Sequence, residues 1–95
     1  MKITLFYLIT DEHVIAEENE NCNSDSYYEI QNPLAIGIVE NSFVMMPFSL
    51  ISQNGLIKLH KSAVVYTTEP KTKFINAYKE RVGGILTPES RVLTT

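Results

Sequence analysis

Apolar residues in this chain keep one kind of spacing up to about residue 68 and another after it, and that change limits the folds open to it. Before the change, short apolar runs are closed by polar or Gly/Pro turns, which is the pattern of a sheet of short strands. Ile3 to Thr10 places Ile3, Leu5, Tyr7 and Ile9 on one face and Phe6 and Leu8 on the other. Two apolar faces suit a strand buried on both sides or one in a small closed barrel. Asp11-Glu12-His13 reads as a polar turn, and Val14-Ile15-Ala16 opens a second strand that fades into Glu17-Glu18-Asn19. The nearly all-polar residues that follow predict a mobile loop. Tyr27 to Val39 is a third β segment, interrupted by Pro33. Proline lacks the N–H that a central ladder needs, so a bulge or sharp bend is expected there.

Phe43 to Ile51 is the most apolar stretch, and Pro47 marks it as an edge or bent strand. Ser52-Gln53-Asn54-Gly55 predicts a type I′ hairpin, since Asn-Gly tolerates positive φ. Leu56 to His60 and Ala63 to Thr68 complete the β pattern, joined tightly at Lys61-Ser62. Then Phe74, Tyr78 and Val82 recur every fourth residue with Ile75 beside them, one stripe of a helix over 71–82. Pro70 suits its first turn, Thr68 or Glu69 its cap, and Gly83-Gly84 its end. Residues 85–95 read as a tail. Strands joined by short turns and followed by one helix exclude a doubly wound α/β fold and favour a small barrel or roll.

The chain has 95 residues, the size of one domain. A domain of this size buries roughly 60–65% of its unfolded surface, a thin core that oligomerisation would supplement. No run approaches the ~18–20 apolar residues of a membrane helix, and Met1 to Thr10 does not read as a secretory leader. The lone Cys22 sits in a polar loop and excludes an internal disulfide and a Cys-based zinc site. A cytoplasmic location is expected. The net charge of −3 is unevenly distributed. Residues 1–57 carry eight carboxylates against Lys2, giving −7, and residues 58–95 carry seven basic residues against three acidic ones, giving +4. Such a division can steer self-assembly or form a basic face.

The hairpin Ile57-Lys58-Leu59-His60-Lys61-Ser62-Ala63-Val64-Val65-Tyr66 resembles the second signature of Sm-like proteins. That signature is an apolar strand end, a basic residue, a small or polar turn, and an apolar strand closing on an aromatic. Residues from Leu8 to Ile36 resemble the first signature, in which an apolar strand leads through an acidic turn to Val14-Ile15-Ala16 and later to Tyr27-Tyr28-Glu29-Ile30-Gln31-Asn32. Asn32 matches the family's Asn, whereas Tyr28 stands where an Asp is usual. The family's helix before the first strand is missing, and a helix follows the last strand instead. Asn32-Pro33-Leu34, the Met-rich segment and the late helix look most like the Sm-like proteins of tailed marine phages (cyanophage type).

The resemblance implies a mainly β fold, a small, strongly bent five-stranded antiparallel Sm-like barrel with a C-terminal helix. The whole of 1–95 would be a single Sm-like domain, with the barrel over about 3–69. It also implies a homo-oligomeric ring of five to seven subunits that binds single-stranded RNA at an inner pore, without cofactor or metal, in the cytoplasm, which is the host's if the protein is phage-encoded. Carried over by position, Asn32, His60 and Lys61 are the RNA-binding candidates. Ile30 takes the usual stacking position and offers no ring, so Tyr28 would stack a base only through a slipped register or a bulge. The other reading is that Asn32 bonds its own turn and His60-Lys61 merely form a hairpin. The fold would then serve a protein-binding adaptor or structural module. Catalysis is not expected, because His13 and His60 have no metal-ligand spacing and Glu17-Glu18 point to opposite faces of a strand.

Overall fold

The computed structural model describes residues 2–48 and 55–86. Among these residues six strands form one antiparallel sheet: β1 (Lys2–Leu8), β2 (His13–Glu18), β3 (Tyr27–Val39), β4 (Ser42–Pro47), β5 (Leu56–His60) and β6 (Val64–Thr68). Helix α1 follows over Thr72–Leu86. The strand order is β4-β3-β2-β1-β6, with β5 also paired to β3. The chain is therefore mainly β with one C-terminal helix, an arrangement compatible with an Sm-like fold.

The bend expected at Pro33 is the organising feature of the sheet. Ile15 pairs with Leu34, but Glu17 pairs with Gln31, so Asn32 and Pro33 together face Ala16 alone. Two residues opposite one make a β-bulge, which bends its strand and sharpens the twist. Asn32 takes φ 49°, a left-handed conformation that Asn tolerates better than most residues. Its amide donates to the Gly55 carbonyl at 2.7 Å. Gly55 itself has φ 66°, and a Cβ there would lie 2.9 Å from Asn32 Oδ1, so glycine is required at this close approach. Before the bulge, β3 pairs with β5 from Tyr27–His60 to Gln31–Leu56. After it, β3 pairs with β4 from Leu34–Pro47 to Val39–Ser42.

This split corrects the five-stranded barrel. Along its edge away from β2, β3 is paired by two strands, β5 before the bulge and β4 after it. The sheet is also not closed, with β4 at one end of the order and β6 at the other. Among the described residues, β4 and β5 pair with β3 and not with each other. Ser52 to Asn54 and the end of the expected Phe43–Ile51 strand lie outside the described residues. The connection at Lys61-Ser62 is a turn of 3-10 helix over Lys61–Ala63. Helix α1 runs through Gly83 and Gly84, since a glycine costs only about 1 kcal/mol in a helix and does not by itself end one. Of the expected tail, residues 87–95 lie outside the described residues.

Strand alternation makes two cores, one on each face. Phe6, Leu8, Val14, Ala16, Ile30 and Leu59 are buried together on the inner face, with Tyr28, Phe48, Ile57 and Val64 against them. Ile15, Leu34 and Met45 are buried on the outer face beneath Tyr78 and Val82 of α1, with Phe74 and Ala77 packed alongside. The two-faced pattern of β1 has this cause, since Thr4, Phe6 and Leu8 turn inward while Ile3 and Leu5 meet the helix side. Each large side chain so buried stabilises by roughly 1.5–3 kcal/mol. Tyr78 is 1% exposed. Its hydroxyl donates to the carbonyls of Asn32 at 2.8 Å and Gln31 at 3.2 Å, which fastens the helix to the bulge. Arg81 donates to the Met45 carbonyl of β4.

Burial pushes the Tyr78 phenol well above the usual tyrosine range, and the Glu17 carboxylate adds to the shift. The unfolded chain ionises this phenol near pH ~10, whereas the folded chain keeps it protonated. Its contribution to stability is therefore full below that pH and is lost as the pH rises above it. Tyr78→Phe should cost about 1–3 kcal/mol at neutral pH, because it takes this donor from the half-buried Asn32 and Gln31 carbonyls. It should also remove part of the alkaline loss. Calorimetry of both proteins at neutral and alkaline pH measures both effects.

Candidate nucleic-acid interface

The β3–β5 ladder brings three of the four sequence candidates to one end of the sheet but divides them between its faces, Tyr28 with Lys61 on one and His60 on the other. Tyr27 lies opposite His60, Tyr28 opposite Leu59 and Glu29 opposite Lys58. Because side chains alternate along a strand, Tyr28 faces the inner core, where its ring meets Phe6 edge-on with centroids 5.3 Å apart. Tyr27, Glu29, Lys58 and His60 share the other face. The Lys61 ammonium lies 5.1 Å from the Tyr28 ring centroid, and the Lys58 ammonium lies 5.1 Å from that of Tyr27. Both tyrosines are half-buried, and His60 is exposed.

Asn32 stands apart from the other three. It lies at the Gly55 end of the ladder, whereas His60 and Lys61 lie at the Tyr27 end. Five residues of extended strand separate Tyr27 from Asn32, roughly 16 Å. The Asn32 side-chain amide donates to Glu17 Oε2 at 3.2 Å, and its backbone forms the bulge. Ile30, where the resemblance would put the stacking residue, is fully buried in the inner core. Sequence reasoning read Tyr27 as a core or interface aromatic and did not single out Lys58. Counting two residues back from His60 along an alternating strand would have found Lys58 on the same face.

The loop before β3, expected to be mobile, is tied down beside this end of the sheet. It contains a 3-10 turn over Glu20–Cys22. The Lys61 amide donates to the Ser26 carbonyl at 2.9 Å, which joins the loop to the turn after β5. Ser24 Oγ accepts from the amides of Ser26 and Tyr27, each at 3.1 Å. Asn23 Oδ1 accepts from the Glu29 amide at 2.8 Å, and Asn23 Nδ2 donates to Glu18 Oε2 at 2.7 Å. Glu18 is only 7% exposed, and its other oxygen accepts from Thr4 Oγ1 at 2.8 Å. Asn19 Nδ2 donates to Glu29 Oε2 at 3.2 Å. A buried carboxylate is tolerated where such donors surround it, so Glu18 anchors the loop from beneath.

An aromatic ring beside an ammonium group is the kind of pair that can hold single-stranded nucleic acid, the ring stacking a base and the ammonium neutralising a phosphate, and the ladder carries one such pair on each face. Glu29 lies on the same face as Tyr27 and Lys58, and Asp25 is exposed in the adjacent loop, so the cationic surface is local. Among the described residues there is no group of three or more His, Cys, Asp or Glu placed to hold a metal ion. No described helix is long and apolar enough to cross a membrane. No protein-family model matches the chain, and no curated protein is detectably similar to it in sequence.

Asn23→Ala removes both the acceptor of the Glu29 amide and a donor to buried Glu18. It should cost about 1–3 kcal/mol and speed hydrogen exchange at the Glu29 amide, while exchange in helix α1 stays near the wild-type rate. Native-state exchange measured by NMR tests this.

Proposed function

We propose that the chain is an Sm-like homo-oligomeric ring of five to seven subunits that binds single-stranded RNA. Tyr28 with Lys61 would form the contact on one face of this end of the sheet, and Tyr27, Lys58 and His60 a second one on the opposite face. The observation that carries this reading is the placement of Lys58 and Lys61 beside Tyr27 and Tyr28, at the end of the sheet where the Lys61–Ala63 turn is bonded to the Ser26 loop. Asn32 has no direct part in it and acts as the bend of β3.

The open sheet supports the ring. β4 and β6 end the strand order, and Val44, Met46, Leu56, Val65 and Tyr66 on β4, β5 and β6 are exposed. An apolar strand edge without a partner is an aggregation hazard. Pairing one edge with the other edge of the next copy is a heterologous contact, and it closes into a ring if the rotation is right. The ring would act in the cytoplasm, that of the host if the protein is phage-encoded. A second reading, a phage-type protein-binding adaptor built on the same ring, is favoured by Ile38 and Val39, which are exposed near the tip of the β3–β4 hairpin.

Light scattering on a sizing column should give a mass of five to seven times 10.8 kDa. A monomer would overturn the ring. Short uridine-rich and adenine-rich RNAs should bind the sized oligomer, and Lys58→Ala and Lys61→Ala should each weaken binding about tenfold. Each variant should also lower the slope of log affinity against log salt by about one for every subunit that engages the strand. An oligomer that binds neither RNA at low salt leaves the adaptor reading in place.

A further inference from the structure

The outer face of the sheet carries a row of rings that the RNA surface does not use. Tyr66 on β6, Tyr7 on β1 and His13 on β2 are direct cross-strand neighbours. Tyr7 stacks on Tyr66 with centroids 5.2 Å apart and planes at 29°. His13 meets Tyr7 from the other neighbouring strand, at 4.7 Å and 38°. The next position in the row is Ile36 on β3, and there the rings give way to an open cleft of about 210 Å³ lined by Leu5, His13, Ile36, Ile38 and Phe74. The Lys73 ammonium does not line the cleft but lies beside its Phe74 wall, 5.3 Å from the Phe74 ring centroid and 5.9 Å from that of Phe43. Ile38 is 70% exposed, so the cleft is open to solvent.

Three features narrow what can occupy it. The volume is below the ~300–1,000 Å³ of sites for drug-sized ligands, which leaves room for one ring system. A flat group set against His13 continues a stack that already runs through Tyr66 and Tyr7, and Phe74 offers it a second aromatic wall. The Lys73 ammonium selects an attached anion. The carboxylates on this face do not line the cleft: Asp11 accepts from the Tyr7 hydroxyl, and Glu17 accepts from Asn32. We propose that this cleft binds a nucleotide, with the base between His13 and Phe74 and the phosphate on Lys73. It lies at the far end of β3 from Tyr27 and Tyr28 and does not rest on the RNA reading. The nucleotide could be free or one residue of an RNA strand.

Amide shift mapping on the full chain tests the proposal, with adenosine monophosphate, adenosine, inorganic phosphate and a short oligoadenylate as separate probes. The monophosphate should shift His13, Ile36, Ile38 and Phe74. Adenosine should shift the same residues with about tenfold weaker affinity, the loss expected for one charge-assisted contact. Lys73→Ala should reduce the monophosphate to the adenosine level without lowering the melting temperature. Ile38→Glu, which sets a carboxylate at the cleft, should abolish binding. Oligoadenylate that shifts these residues at lower concentration than the monophosphate assigns the site to RNA, and the reverse order assigns it to free nucleotide. The proposal is overturned if the monophosphate leaves the four residues unmoved, if inorganic phosphate moves them equally, or if Lys73→Ala binds as tightly as wild type.

Discussion

One residue held in a left-handed conformation allows a single long strand to serve two partners. Asn32 is fixed there from three directions: its amide bonds Gly55, its side chain bonds Glu17, and its carbonyl receives the Tyr78 hydroxyl. Each bond also satisfies a polar group that a bulge would otherwise leave unpaired. Pro33 adds no N–H to be satisfied, and its carbonyl accepts from the Phe48 amide at 3.0 Å. The two halves of β3 then point their partners in different directions. One half takes β5 and with it the Lys58–Lys61 segment. The other takes β4, whose Met45 lies under α1. Tyr78 at the bulge and Arg81 on β4 tie the helix to both.

A sheet this small is stable only if both of its faces are covered. Val14, Ile15 and Ala16 are consecutive and all fully buried, which is possible only where the inner core and the helix cover opposite sides. The inner core closes where Tyr28 and Ile30 of β3 meet Phe6 of β1. The outer core closes because the helix stripe returns across β1 to β4. Covering the faces leaves the edges, and they carry the exposed apolar residues. A thin two-sided core with apolar edges is the balance expected of a small domain, which buries a smaller share of its surface than a large one, and it supports the proposed ring.

Much of this was legible from local pattern. The helix face was given by Phe74, Tyr78 and Val82, the bend by Pro33, and the double burial of β1 by apolar residues on both of its faces. What was not legible depends on partners remote in sequence. Turn chemistry at Asn54-Gly55 identifies a residue able to take positive φ, but not which strand the next one will join. The loop over 19–26 is polar enough to read as mobile, and its order comes from Glu18 and Glu29, which lie outside it. Asn32 fits a motif by its neighbours, yet its distance from His60 is set by ladder register, which a motif does not carry. Tyr28 and Lys61 came together because one lies in the ladder and the other just past its end.

The acidic balance of the first half need not prevent a phosphate from reaching the basic end. Six of its eight carboxylates accept hydrogen bonds within the fold: Asp11 from Tyr7, Glu12 from Thr10, Glu17 from Asn32, Glu18 from Thr4 and Asn23, Glu20 from Lys2, and Glu29 from Asn19. These bonds fix where the negative charge sits without cancelling it. At physiological ionic strength a charge is largely screened beyond about 8 Å, so a phosphate at Lys58 or Lys61 responds mainly to its immediate neighbours. The neighbour that matters most is Glu29, opposite Lys58 and held by Asn19. Lys61, across the strand on the Tyr28 side, has no carboxylate opposite it in the ladder, and its backbone is fixed by Ser26. The cation best placed to meet a phosphate is therefore the one that the folded loop positions, and the order of that loop, more than the net charge, decides whether this end of the sheet can bind an anionic chain.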